Sequence, residues 1–584
     1  MTAPSVPQTP RIAIIGSGPS AIYALKYLAQ PLSAGMIVMF EADQRAGVGT
    51  PYAERYNPRE MLANIASIEL PPVQTTLLDW IAGLPAPERQ RLGIAPEDMD
   101  ERHFFPRMIL GEFFAAQLHA TISVAKARGI TVDLRTGTPV CDLASLPAGV
   151  TVRSMRQGQQ TSETFDFVIV ATGHRAPRVS PDSADMHHPY RDKDSIARSR
   201  KLGIIGTSLS AIDVAVAQAA RHGVFESDGD TLRYRPKAGE EDRRIAMLSR
   251  SGILPEADFF CPIPYRPLDI FTADAVAGAT AEADGALDRL FELFRKQLAA
   301  ADPDFARHIA IADCDVDSFA DRYFAPRTQG DPFDWAARNL AEVRRNAARQ
   351  HTVAWRYAIL RMHEPFGEAL DSLDEADRAR FAKGLKRVFI DNYAAVPPLS
   401  IERILAMHRA GVLSIIRLGP DYETDLLEDD RWEIRNADGT WHFDALVDAR
   451  GQSALGQDEF PFPTLRMQIR AQSLRAGDTD NAMPLAQANA LAEEGDPLAR
   501  VYCLALPFLM LRNPFVQGLT AAHDLAREAV GAIAEAAHAI AAPTDAHQAV
   551  VAGLEQLGDT SLILHGTTEG LQPLLVAYPA RTES

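Results

Sequence analysis

The sequence predicts an α/β fold with two Rossmann-like dinucleotide-binding domains and a helical subdomain. Three features predict it: a glycine turn joining an apolar strand to a helix at residues 11–21, an imperfect copy of that turn at 201–211, and a change to 3.6-residue spacing between about 275 and 413. At 584 residues the chain is also too long for one core.

In the first unit Arg11-Ile12-Ala13-Ile14-Ile15 reads as a buried strand, Gly16-Ser17-Gly18 as a turn, and Pro19-Ser20-Ala21 as the opening of a helix to about Leu28. Met36 to Glu41 is the next strand, so a GxGxxA fingerprint stands in the strand-turn-helix-strand context that dinucleotide binding requires. Gly16 permits the tight turn, Gly18 lets backbone approach a pyrophosphate, and Ala21 allows close helix packing, while the helix N-terminus faces the phosphates. Glu41 supplies an acceptor for an adenosine ribose hydroxyl. A helix over Arg107 to Ala127, a strand at Ile130 to Leu134 and an apolar strand running from Phe165 into Ala171-Thr172-Gly173 continue this unit.

The second unit begins at Lys201-Leu-Gly-Ile-Ile205, turns at Gly206-Thr207-Ser208, and enters a helix at Leu209-Ser210-Ala211. Ser208 occupies the place of the middle glycine; its side chain crowds the pyrophosphate approach, though its hydroxyl can donate a compensating hydrogen bond. A polar stretch at about 226–242 reads as an inserted loop or ribbon, and strand periodicity returns at Arg244 to Ser249. Arg250, not an acid, follows that strand, and a guanidinium there pairs with a 2′-phosphate where a carboxylate would prefer the free hydroxyl.

Helices are expected at Ala286 to Ala300 and Trp335 to Met362, strands at 413–418, 431–435 and 445–451, and a closing amphipathic helix at Leu519 to Ala541. The boundaries follow: residues 8–197 and 451–541 make the first domain, 198–274 and 413–450 the second, 275–412 the helical subdomain, and 542–584 a C-terminal extension with strand-like Ser561 to Leu564.

Composition narrows the function. With 59 basic and 77 acidic residues the net charge is −18, which argues against nonspecific binding to nucleic acid or anionic membrane. Cys141, Cys261, Cys314 and Cys503 form no CxxC pair, and no HExxH is present, so neither a dithiol nor a metal site is expected. Residues 1–10 lack a basic-then-apolar pattern and no uninterrupted apolar run approaches a membrane span, so cytoplasmic placement is expected. Homo-oligomerisation is left open.

Two such units in this order, with turns at Ala171-Thr-Gly173 and Ala449-Arg-Gly451, resemble the two-dinucleotide flavoproteins, in which a glutathione-reductase-like FAD domain carries an inserted NADPH domain. Gly49-Thr-Pro-Tyr52, Leu62-Ala-Asn-Ile-Ala66, Phe105-Pro-Arg107, Val170 to His174, Leu248 to Pro255 and Arg378 to Phe381 are similar to the FAD-NAD(P)-binding group related to class B flavin monooxygenases. Within that group the chain resembles amino-acid N-monooxygenases, notably the nitrosuccinate-forming enzymes that act on aspartate. The resemblance implies FAD and NADPH as cofactors, oxygen added at the flavin C4a position, and transfer of one atom from the hydroperoxide to a substrate amine. It maps Gly16, Gly18, Pro19, Ser20, Ala21, Glu41, Arg107, Thr172 and Gly173 to FAD, and Gly206, Thr207, Ser208, Ser210, Ala211 and Arg250 to NADPH. Asn64 matches the asparagine beside the isoalloxazine, the one catalytic assignment.

For substrate the expectation is a small polar amino acid, with aspartate leading, together with O2. Arg266, Arg356, Arg361 and His363, with Arg327 nearby, offer the guanidinium pair that a dicarboxylic amino acid would need. The run Val353 to His363 fits one face of a core helix equally well. Asn392 to Pro397 departs from relatives that carry basic residues before the proline. Oxygen transfer to a ketone or sulfur, a flavin reductase or oxidase, and a non-catalytic flavin scaffold stay open as alternatives.

Overall fold

The structure, a computed structural model, describes residues 9–31, 35–173, 186–190, 192–229, 231–451, 453–478 and 480–541. The C-terminal extension, Ser561 to Leu564 within it, and His174 lie outside the described residues.

Two parallel sheets organise the chain. The first runs in the order Val501–Cys503, Phe167–Val170, Arg11–Ile15, Gly35–Phe40, Ile130–Arg135. Its central strands are covered on both faces, which is why Ile12 to Ile15 read as a continuous apolar run with no polar alternation. Helices Pro19–Leu28, Arg107–Ala127 and Gly518–Ala541 pack on one face. The other face takes helix Pro463–Arg475 and an antiparallel sheet of Val140–Leu146, Gly149–Arg156 and Gln159–Phe165. Arg107–Ala127 is long and apolar enough to cross a bilayer by length and composition. Its Ile109, Leu110, Phe113, Phe114 and Leu118 are instead buried in the core of this unit.

The second sheet repeats the plan with four parallel strands, ordered Leu413–Arg417, Arg244–Ser249, Lys201–Ile205, Ala445–Asp448. Helices Leu209–His222, Pro332–Ala348 and Pro398–Arg409 cover one face, and an antiparallel meander of Glu423–Leu426, Trp432–Asn436 and Gly439–Phe443 covers the other. The polar stretch after the first helix is an antiparallel ribbon, Gly223–Asp228 with Thr231–Pro236.

In the chain between Arg244–Ser249 and Leu413–Arg417 lies the helical region, packed around Phe271, Phe294, Phe319, Phe366 and Phe389. One expectation fails here: Trp335 to Met362 is two helices, Pro332–Ala348 and Ala354–Ala369. Gln350 turns to a left-handed φ of 51°, His351 closes back onto the Asn346 carbonyl, and the break lets the second helix reverse.

Candidate functional site

At the first turn Gly16 has φ of 107°, and a Cβ there would stand 2.3 Å from the Ala171 carbonyl oxygen, so no other residue fits. Its amide donates to the Phe40 carbonyl at 2.7 Å, tying the turn to the end of the next strand. Gly18 is the N-cap of helix Pro19–Leu28 and offers no side-chain acceptor, leaving the first-turn amides pointing outward for an anion. Across from it, a Cβ on Gly18 would lie 3.4 Å from Gly49 Cα, so the Gly49–Tyr52 loop closes the cradle. The Glu41 carboxylate accepts from the Ser17 hydroxyl, from the Ser17 amide at 3.2 Å and from the Asp43 amide at 2.9 Å, and Ser17 Oγ accepts from Gly47 at 3.0 Å. Ser17, which the sequence reading passed over, thereby fixes the Glu41 carboxylate at the strand end.

Asn64 lies on the segment 61–68, which is zipped to 101–107 through Ala63 N to Phe105 O at 2.9 Å, Ser67 N to His103 O at 3.2 Å and Arg107 N to Met61 O at 2.9 Å. Among the described residues neither Asn64 Oδ1 nor Thr172 Oγ1, both buried, meets a hydrogen-bond partner. Leaving a buried acceptor unmet costs about 1–3 kcal/mol, and a ligand with polar edges removes that cost. The glycine cradle and these two orphaned atoms fit a flavin dinucleotide.

The second turn is built alike. Gly206 has φ of 128°, its Cβ would meet the Ala449 carbonyl oxygen at 2.6 Å, and its amide donates to Leu248 O at 2.6 Å. Thr207 Oγ1 donates to Ser249 Oγ at 3.1 Å, so Thr207 and Ser249 stand where Ser17 and Glu41 stand in the first unit. Ser208 caps helix Leu209–His222 with φ of −106°, a conformation that does not require glycine, and its side chain is exposed. Arg250 is exposed at the strand end, with no ion-pair partner among the described residues.

The two units meet at Arg107. Its Nε donates to Leu62 O at 3.1 Å, beside Asn64, and its Nη2 pairs with Asp213 of the second unit's helix at 2.6 Å. Tyr190 OH donates to Ser210 Oγ at 3.2 Å and lies 3.4 Å from Asp213 Oδ2. Burial pushes the Asp213 carboxyl up to about 6, against the pull of Arg107.

The residues named for substrate part company. Arg356 is buried against Glu256, which also accepts from Trp335 Nε1 at 3.1 Å, and Arg327 pairs with Asp391 and donates to Leu254 O at 2.6 Å. His363 is stacked on Tyr393 with ring centroids 5.2 Å apart, and burial lowers its pKa. Arg361 lies over the Tyr265 ring at 4.4 Å with its Nε unpartnered, and Arg266 is exposed next to Tyr265. Beside them are groups that the sequence reading missed. Asp258, under burial and the charge of Glu69, is pushed up to about 8, and burial also raises Glu69. Arg102 donates to Cys261 O at 2.8 Å and covers the Phe260 ring at 4.2 Å. Two acids, Glu256 and Asp258, inside the otherwise apolar run Ile253 to Pro264 were the available signal. No group of His, Cys, Asp and Glu suited to a metal ion occurs among the described residues.

Residues 13–175 match the family model described as FAD-NAD(P)-binding, and residues 272–393 match the YdhS-like middle domain. Over 535 residues, 90% of this chain and 98% of the relative, the chain is 41% identical to YdhS of Escherichia coli (strain K12). The chain belongs to the YdhS family. In this member of the YdhS family the FAD-NAD(P)-binding domain bears out FAD and a nicotinamide dinucleotide as the cofactors read from the sequence. A further 97-residue match, 15% of the chain and 20% of the relative, is 32% identical to trimethylamine monooxygenase of Methylocella silvestris. Among solved structures, the ornithine N-hydroxylase of Kutzneria sp. 744 aligns over 90% of this chain and 99% of its own at 13% identity and a TM-score of 0.49. The ornithine hydroxylase of Pseudomonas aeruginosa in its reduced form aligns over the same shares at 15% identity and a TM-score of 0.49.

Proposed function

We propose that this YdhS-family protein is an FAD- and NADPH-dependent monooxygenase that oxygenates the amine of a small polar amino acid, with L-aspartate the leading candidate. The observation that carries the reading is the first glycine cradle, with the orphaned Thr172 Oγ1 beside Gly16 and the orphaned Asn64 Oδ1 on the segment 61–68, on a chain with a second cradle. When bound, FAD supplies acceptance of a hydride from the nicotinamide and activation of O2. Gly18, Gly49 and the first-turn amides would hold its pyrophosphate, Glu41 its ribose, and Asn64 and Thr172 its ring. Ser249 and Arg250 present a hydroxyl and a guanidinium to the second nucleotide, which supports NADPH over NADH.

The substrate amine has to arrive unprotonated. Glu69 and Asp258, five residues and one interdomain contact from Asn64, are the groups able to hold its proton, because an acid pushed up to about 8 is far closer to an ammonium than an ordinary carboxyl is. Arg266 remains for a substrate carboxylate, since Arg356 and Arg327 are spent on Glu256 and Asp391 and Arg361 pairs with Glu364 at 2.8 Å.

The test is anaerobic addition of NADPH to FAD-loaded protein, followed by an aerobic amino-acid panel with product mass read out. Bleaching of the flavin and a product heavier by oxygen support the proposal. Protein that retains no FAD sinks it, and hydrogen peroxide as the sole product with every substrate moves it to a flavin oxidase.

A further inference from the structure

We infer that Arg107 and Asp213, extended by Tyr190, are positioning residues that fix the second unit's nucleotide cradle relative to the Asn64 segment. The inference rests on the reading of the two cradles as FAD and NADPH sites. The geometry is a continuous path of polar contacts. Leu62 O accepts from Arg107 Nε at 3.1 Å; Arg107 Nη2 pairs with Asp213 at 2.6 Å; and Tyr190 OH reaches both Asp213 Oδ2 at 3.4 Å and Ser210 Oγ at 3.2 Å. One end is two residues from Asn64, and the other is in the first turn of the helix whose N-terminus would meet the second pyrophosphate. Arg107 also opens the helix that backs the Gly49–Tyr52 loop, where a Cβ on Gly111 would stand 2.5 Å from Tyr52 O.

Neither member of the pair is at the surface: the side chains are 16% and 10% exposed. A guanidinium can serve two acceptors in fixed directions, whereas an ammonium cannot span Leu62 O and Asp213 at once. Hydride transfer between two bound rings falls steeply with misplacement of about 1 Å, so a buried ion pair between the two units bears directly on its rate. The groups facing Asp213 are Arg107 and Tyr190, and Tyr52 faces Arg107 from the loop side. Asp213 ionises at about 6, so acidification through that value removes the charge that holds Arg107.

The test uses nitroxide labels on the exposed native Cys141 in the first unit and on Arg233→Cys in the exposed ribbon of the second. The full chain is expected to give one narrow distance distribution at pH 8 that broadens below pH 6. Asp213→Asn and Arg107→Lys should both be broad at either pH. In FAD-loaded protein Asp213→Asn should retain flavin and slow its anaerobic reduction by NADPH about 10- to 100-fold. Tyr190→Phe, which keeps the ion pair, should leave the distances alone and weaken NADPH binding about threefold. Label distances in Asp213→Asn and Arg107→Lys that match the parent at pH 8 overturn the inference. The label distances do not depend on bound flavin, so a parent protein that holds no FAD defeats the proposed function while this inference is still decided.

Discussion

The two nucleotide units share a frame and differ in the residues that would face the ligand. In both, a positive-φ glycine sits against a carbonyl from the strand that closes the turn, Ala171 for Gly16 and Ala449 for Gly206. In both, the glycine amide reaches a carbonyl at the end of the neighbouring strand, Phe40 at 2.7 Å and Leu248 at 2.6 Å. The differences are chemical. Where the first unit has Gly18, Ser17 and Glu41, the second has Ser208, Thr207 and Ser249, with Arg250 beyond. Steric requirements at the turn are met identically, whereas charge at the strand-end edge is reversed, and in the proposed function that edge is what would select the nucleotide.

The sharpest way to break this comparison is at the shared glycines. Gly16→Ala should abolish flavin retention, because the added methyl has no room and the backbone no allowed alternative; the flavin-to-protein absorbance ratio measures it. Gly206→Ala should leave flavin in place and slow its anaerobic reduction by NADPH at least 100-fold. Equal flavin loss in both variants would erase the distinction between the units.

Next in size is the buried pair that ties the second unit to the helical region. Glu256 is buried with Arg356, and removing one partner of a buried pair strands the other charge, so Glu256→Ala should cost about 3–5 kcal/mol in denaturant unfolding. Converting the second edge toward the first, by Ser249→Glu with Arg250→Ala, should shift preference from NADPH toward NADH about 10- to 100-fold in the ratio of kcat/KM. An unchanged ratio would remove Arg250 from phosphate recognition.

The pH profile gives a smaller effect. Asp258 is neutral below about 8 and ionised above it, since burial and Glu69 disfavour its charge. The substrate-dependent rate should therefore rise through pH 8, and Asp258→Asn should flatten that rise. Smallest of all, Ser208→Gly should change NADPH affinity by less than threefold, because the φ of −106° at this position already suits serine.

Both sheets were legible in the sequence because doubly covered parallel strands such as Ile12–Ile15 and Leu202–Ile205 appear as unbroken apolar runs, and because Gly16 and Gly206 punctuate them. The antiparallel sheet at 140–165 was not, since its last strand, Gln159–Phe165, is polar along most of its length and only Gln157-Gly158 and Gly149 mark its turns. The roles of the arginines were least legible. Arg356 and Glu256, or Arg107 and Asp213, stand far apart in the chain, and no spacing rule reveals that burial brings them together. The same holds for Asp258 and Glu69, whose mutual influence exists only once the two units are docked.

Val501–Cys503 completes the first sheet beside Phe167–Val170, after the entire second unit has been threaded through the chain between them. At translation speeds of about 5–20 residues per second, the apolar edge at Phe167–Val170 waits roughly twenty seconds to about a minute for its neighbour. The inserted unit, whose last strand ends at Asp448, can close first and so emerges as the early-folding part of a newborn chain. Until residue 503 leaves the ribosome, the older half carries an open sheet edge of the kind that invites association with other chains. Holdase occupancy during synthesis should therefore concentrate on the N-terminal third of this protein.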